Sequence, residues 1–270
     1  MISDLFSICI ICFYCLACLG FGHLAVSAIQ TEYNDKTWGY ANVISTFILG
    51  QAILAAIWVP ISLLGQLNVI IDLVVLLIGF IVFITNYKDH TKLIFSTFKI
   101  EWKWLLHTDI SFRIICFGLI TIVFLFFLSA VYTGPLGDAE AFYMAYPKVI
   151  ADSGRLTEMP GLYSGFSQIG LMAELHFSVL MQLGVGEASK LFVWPVAISA
   201  GLILTAICTQ VGLGKRGLWI AVILLFTSTG FTNHIWDGKV DVLPVALALA
   251  AIYWIMQEER ISETTLRLIG

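Results

Sequence analysis

The sequence predicts an all-α, polytopic transmembrane helix bundle, and three observations carry that expectation. Apolar residues fill 59% of the 270 positions and charged residues only 12%, against about 45–50% and about 25% in soluble domains. Mean hydropathy is +0.93. The apolar residues also gather into about seven runs, each near the ~20 residues that a helix needs to cross a bilayer. These are roughly 5–29, 39–64, 67–85, 112–132, 188–211, 217–235 and 240–257. A net charge of −4 gives no basic surface and no reason to expect a nucleic-acid partner.

The first run follows "MISDLFS", which lacks a basic leader region, so it reads as a retained span. Within it Cys9, Cys12, Cys15 and Cys18 recur every third residue. A three-residue step turns a helix by about 300°, so these thiols drift round the cylinder and do not converge as cluster ligands. Cys116 and Cys208 also fall in apolar runs, and no disulfide framework is indicated. His23 reads as a polar residue paired inside the bundle. Asp72, early in the third span, reads as held by a local partner or water rather than as a proton relay.

The linker "LGQLN" makes the second and third spans a tight hairpin. After the third span, residues 86–111 carry Lys88, Lys92, Lys99 and Lys103 among aromatics, a pattern that suits an amphipathic helix in the headgroup region. Taking that connector as cytoplasmic, alternation puts ten of the fourteen Lys and Arg residues on the inside, a positive-inside bias. The amino terminus is then outside and the carboxyl terminus cytoplasmic. The organisation expected is a three-span extension over 1–85, the connector 86–111, and a second half over 112–270.

That second half has one long outer loop, 133–187. It opens with "TGPLGDAEAFYMAYPKV" and continues through "GLYSGFSQIGLMAELHFSVLMQLG". The apolar residues of the latter have helical spacing, interrupted by Gln168, Glu174, His176 and Gln182, so it reads as a helix lying along the interface. A second outer loop, "NHIWDGKVDV", supplies Asp237, Lys239 and Asp241. The spans bring both acidic stretches to one membrane face. Carboxylates with a lysine between them suit a reaction on an anionic, membrane-embedded substrate, since an acid can take a proton and a cation can neutralise a phosphate. His176 and His234 are too isolated to make a zinc site and read as hydrogen-bonded polar residues.

The order of these features resembles the GT-C superfamily of polytopic glycosyltransferases, and within it the protein mannosyltransferase and aminoarabinose transferase branch. An apolar helix leads to an acidic loop, "GDAEAFYMAYPKV"; "GEASKLFVWPVAISAGLIL" is similar to the family's second helix, with Lys190 where an Arg often stands. "WDGKVDVLPVALALAAIYW" is similar to the acidic start of its fourth helix. The likeness covers about residues 112–257 and concerns the family's amino-terminal part. It implies sugar transfer, with inversion, from a polyprenyl-phosphate-linked donor to an acceptor on the extracytoplasmic face, in a bacterial inner membrane.

On this resemblance Asp138 is the general base and Glu140 its acidic partner, separated here by Ala139. Asp237 and Asp241 would orient the acceptor or donor sugar or hold a divalent metal, the one cofactor the likeness leaves room for. Lys239, Lys148 and Arg155 would meet the lipid phosphate, and Tyr143 the substrate. The expected partners are the lipid-linked donor and membrane lipid. Two other classes stay open, a polytopic transporter and a non-catalytic membrane assembly protein. The rim position of the acids weighs against the first, because transporters place polar groups near the midplane.

Overall fold

The computed structural model describes the backbone of residues 2–29, 40–137, 139–159, 161 and 172–258, and the side chains of 5–28, 40–86, 99–137, 140–159, 161 and 172–257. Every regular element among the described residues is helical. Five helical stretches are long and apolar enough to cross a membrane: Leu5–Ala28, Tyr40–Leu63, Val69–Asn86, Ile110–Tyr132 and Gly186–Gln210. A sixth exists if the pair Lys215–Thr227 and Thr229–Asp237, bent by 64°, is counted as one broken span. The seventh run expected from the sequence forms a shorter apolar helix, Val242–Gln257. Among the described residues the architecture is thus a helical membrane bundle with five such spans, or six with the bent pair counted as one.

Helices α1 (Ile2–Ile29), α2 (Tyr40–Leu63) and α3 (Val69–His107) pack as one unit. Small residues let their backbones approach closely, the device that replaces the hydrophobic effect between helices in lipid. A Cβ built on Gly50 would lie 1.7 Å from the Cys18 carbonyl oxygen, and one on Gly20 would lie 1.8 Å from that of Gly79. The four amino-terminal thiols spread round α1 as expected: Cys9 and Cys12 are exposed and Cys18 is buried.

The hairpin after α2 is held by its own polar residues. Asn68 caps α3, accepting from the N–H groups of Ile70 and Ile71 at 3.1 Å each, which satisfies donors that a helix start leaves unpaired. α3 then runs unbroken for 39 residues, about 58 Å at 1.5 Å per residue and nearly twice a hydrocarbon core. The basic connector is therefore the continuation of the third span and not a separate helix. Glu101, fifteen residues past Asn86, still pairs with Lys215 at 2.8 Å, and Lys215 opens α8 (Lys215–Thr227). The extension thus stays close to that end of the bundle.

Asp109 caps α4 (Ile110–Tyr132) through the Phe112 N–H at 2.9 Å and also pairs with Arg216. Both partners of that ion pair are largely exposed, so the pair holds little free energy. Reversing it with Arg216→Glu is expected to cost less than about 1 kcal/mol, measured by denaturation in detergent.

α7 (Val193–Gln210), with the 3₁₀ turn Gly186–Phe192 before it, is the central element and two-thirds buried. It packs on α10 (Val242–Glu258), α8 and α2. Hydrogen bonds between helices fix this contact: Tyr40 with Thr205 at 2.9 Å and the Tyr253 hydroxyl to Asn42 Oδ1 at 2.7 Å. α8 and α9 (Thr229–Asp237) break at Ser228, within the helix-poor run "TSTGFT". Residues 64–68, 133–137, 139–159 and 237–241 lie at one end of the bundle, the site end, and Lys215 and Arg216 at the other, the basic end.

Between α4 and α7 lie a π-helical turn (Ala139–Tyr143), α5 (Ala145–Ser153) and α6 (Met172–Gln182). The expected interfacial helix is different in kind over its described part. Residues Ala173–Leu180 are buried on every side, packed on α5, α2 and α3. Its polar residues face protein partners: the Tyr14 hydroxyl meets His176 Nδ1 at 2.5 Å.

Candidate functional site

The two acidic stretches meet at the site end through a two-point clamp. Asp237 ends α9, and Gly238 follows with φ 77°, a left-handed turn that costs glycine nothing. The same position needs glycine for space: a Cβ there would lie 2.3 Å from Lys190 Cβ. The turn aims the buried Asp237 carboxylate at the chain leaving α4, where Oδ1 accepts the Leu136 N–H at 2.9 Å. Lys190, only 2% exposed, reaches the same segment from the 3₁₀ turn and donates to the Thr133 carbonyl. Asp237 and Glu187 supply the negative charge beside its ammonium. Residues 133–136 are therefore gripped by a cation at one end and an anion at the other, both charge-assisted and mutually compensating.

Beside the clamped segment opens a cavity of about 410 Å³, within the size range of small-molecule sites. Glu140, Lys148, Asp152 and Glu187 give its wall charge, and Met144 and Met181 give it apolar surface. A second groove of about 460 Å³ lies on the far side of the α5 end, between Asn68, Val69, Ser153 and Gly154, and shares Asp152 and Gln182 with the first. The smaller cavity is the better candidate, because it alone is lined by the chain that follows α4 and by Glu187.

The expected site residues separate into groups. Glu140 and Lys148 line the cavity. Asp237 is buried and positions the loop. Asp241 lies a few residues away, 3.5 Å from His234 Nδ1, and Lys239 is half-buried with its N–H donated to the His234 carbonyl. Tyr143 closes the π-helical turn, half-buried. Arg155 is exposed and sits beside Gly65 at the α2–α3 hairpin, with the second groove rather than the first. Asp138 lies outside the described residues; the clamp holds the backbone just before it in the chain. Among the described residues no three His, Cys, Asp or Glu side chains converge as metal ligands.

Two residues with a place in this end were not singled out as site residues from the sequence. Lys190 is the clamp's cation; a lone lysine bordering the apolar run "LFVWPVAISAGLIL" was the available signal. Glu174, in α6, is 6% exposed. Burial first, and the like charge of Asp241 second, push its carboxyl from the ordinary 4.5 up to about 7. Tyr146 is pushed up by burial and then by Glu174. Because the folded state raises the Glu174 value, its contribution to stability is complete below about pH 4.5 and is lost as pH rises towards 7. Glu174→Gln should abolish that slope and raise stability at pH 8 by about 2–3 kcal/mol, read as thermal midpoints across pH.

No protein-family model matches the chain, and searches of curated proteins and of solved structures give no match either.

Proposed function

We propose that this chain is a membrane glycosyltransferase that moves a sugar from a polyprenyl-phosphate-linked donor to an acceptor at the extracytoplasmic face, with inversion. The observation that supports this reading is the clamp, in which Lys190 and Asp237 hold the chain leaving α4 against the end of α9 beside a charged cavity. Neither group is needed for a passive bundle, since burying charges costs free energy unless they are paired.

In this mechanism the donor's prenyl chain lies in lipid and its phosphate meets Lys148 at the cavity wall. Glu140, Asp152 and Glu187 accept hydrogen bonds from sugar and acceptor hydroxyls. Asp138, carried by the clamped loop, takes the proton of the acceptor hydroxyl or amine as that atom bonds to the anomeric carbon. The bond from the anomeric carbon to the phosphate oxygen breaks, and polyprenyl phosphate leaves with the electron pair. The leaving group needs no general acid.

A transporter is the second reading, favoured by the break at Ser228 between α8 and α9, since interrupted helices mark transport sites. Incubation with a radiolabelled polyprenyl-phosphate sugar in nanodiscs tests the first. Label is expected to reach the acceptor, and Asp138→Asn is expected to slow this by about 10²–10⁴-fold. Unchanged transfer by Asp138→Asn overturns the assignment of the base, and uptake into proteoliposomes without transfer favours the transporter.

A further inference from the structure

Away from the clamp, α1, α2, α3 and α6 enclose a polar cluster within the bundle. The Trp58 indole N–H donates to the Tyr14 hydroxyl at 3.1 Å, so that hydroxyl has its own proton free for His176 Nδ1, 2.5 Å away. Burial pushes the His176 imidazole down to about 3, against a smaller opposing effect of the Gln51 backbone beside it, so the ring is neutral. The Gln51 amide nitrogen, on a residue 1% exposed, has no hydrogen-bond partner. Asp72 is 0% exposed, and neither carboxyl oxygen has a partner. It is close enough to act electrostatically on Tyr14.

The charge balance of this cluster does not close. α1 offers Tyr14, with Cys15 and Cys18 beside it; α2 offers Trp58 and Gln51; α6 offers neutral His176. Glu174 lies about 200° round α6 from His176 and faces Asp241. The Tyr14 and Trp58 protons are already committed. The charged groups nearest along the chain at the groove above are Asp152, in its wall, and Arg155, beside Gly65. A bare carboxylate inside a membrane bundle costs several kcal/mol, and no described side chain in the cluster supplies the compensating cation.

We propose that this interior cluster is a binding site for one monovalent cation, a proton or a sodium ion, carried by the Asp72 carboxyl and taken up from the site end. The route is set by the fold. Asn68 and Val69 line the 460 Å³ groove, and Asp72 follows one helical turn deeper, its N–H bonded to the Asn68 carbonyl at 2.9 Å. Inside, the unpartnered Gln51 amide is a donor for water accompanying the ion. The inference does not depend on the sugar-transfer reading.

The test uses the full chain carrying Glu174→Gln, so that the other buried acid is silent, with and without Asp72→Asn. For a proton, infrared difference spectra at neutral pH contain the carbonyl stretch of an undissociated carboxylic acid, lost in Asp72→Asn and indifferent to sodium. For sodium, that band is missing and the thermal midpoint rises by about 3–5 °C per tenfold sodium above Kd when sodium replaces N-methylglucamine; Asp72→Asn loses the rise. If the chain with Asp72 intact has neither the band nor the sodium-dependent rise, the proposal is overturned, even where Asp72→Asn does not fold.

Discussion

Gly50→Val is expected to prevent the first three helices from assembling. Its Cβ would meet the Cys18 carbonyl carbon at 2.6 Å as well as the oxygen. Backbone atoms on both sides leave no flexible side chain to give way, so α1 and α2 must separate along their length. Overpacking of a closed core costs about 1–3 kcal/mol and occasionally more, and contact with backbone puts this case at or beyond the upper end. The same crossing includes Gly22 against Thr46, so the effect is that of a whole interface. Thermal unfolding in detergent measures it: loss of the folded species is expected for Gly50→Val, whereas Gly118→Ala, where an added Cβ meets nothing within 4 Å, should behave as the parent chain.

Lys190→Met is the second large effect, and it falls on the site rather than on the bundle. Removing the ammonium leaves the Thr133 carbonyl without its donor and takes a nearby positive charge from the buried Asp237 carboxylate. Leaving that buried carbonyl unsatisfied costs about 1–3 kcal/mol, and the loss of the nearby positive charge adds to it. That cost can be relieved by letting residues 133–136 leave their place against Asp237, which displaces the chain that carries Asp138. A misplacement of about 1 Å at a reacting group can cost about 10²-fold in rate. Lys190→Met should therefore reduce sugar transfer by about that factor, chiefly in kcat, with a lowered thermal midpoint. Double substitution with Asp237→Asn should restore part of the stability, because the uncompensated charge is gone, but not the rate.

The helical class and most span positions were legible from apolar run length, since that length is a direct physical requirement of crossing lipid. Asn68 and Asp109 were legible in the same local sense as helix caps. Which runs stay straight was not, because a run such as 217–235 keeps its hydropathy while "TSTG" bends the backbone. α6 was misread for a related reason: Glu174 and His176 look like the polar face of an interfacial helix until Tyr14, 162 positions away, is found beside His176. The sequence also suggested that acids from two loops share one membrane face. Which atoms meet was beyond it, because the Leu136–Asp237 bond joins residues 101 apart, and nothing local in either stretch encodes its partner. Lys190 and Asp72 depend wholly on such long-range neighbours.

The most direct measurement is equilibrium binding of polyprenyl monophosphate, against the uncharged polyprenol, to the protein in nanodiscs. The phosphate should bind more tightly than the alcohol, and Lys148→Met should weaken it by about 10–100-fold, the worth of one charge-assisted hydrogen bond. Arg216→Glu, at the basic end, should leave it unchanged. Equal binding of phosphate and alcohol, or full affinity in Lys148→Met, would contradict a phosphate site in this cavity.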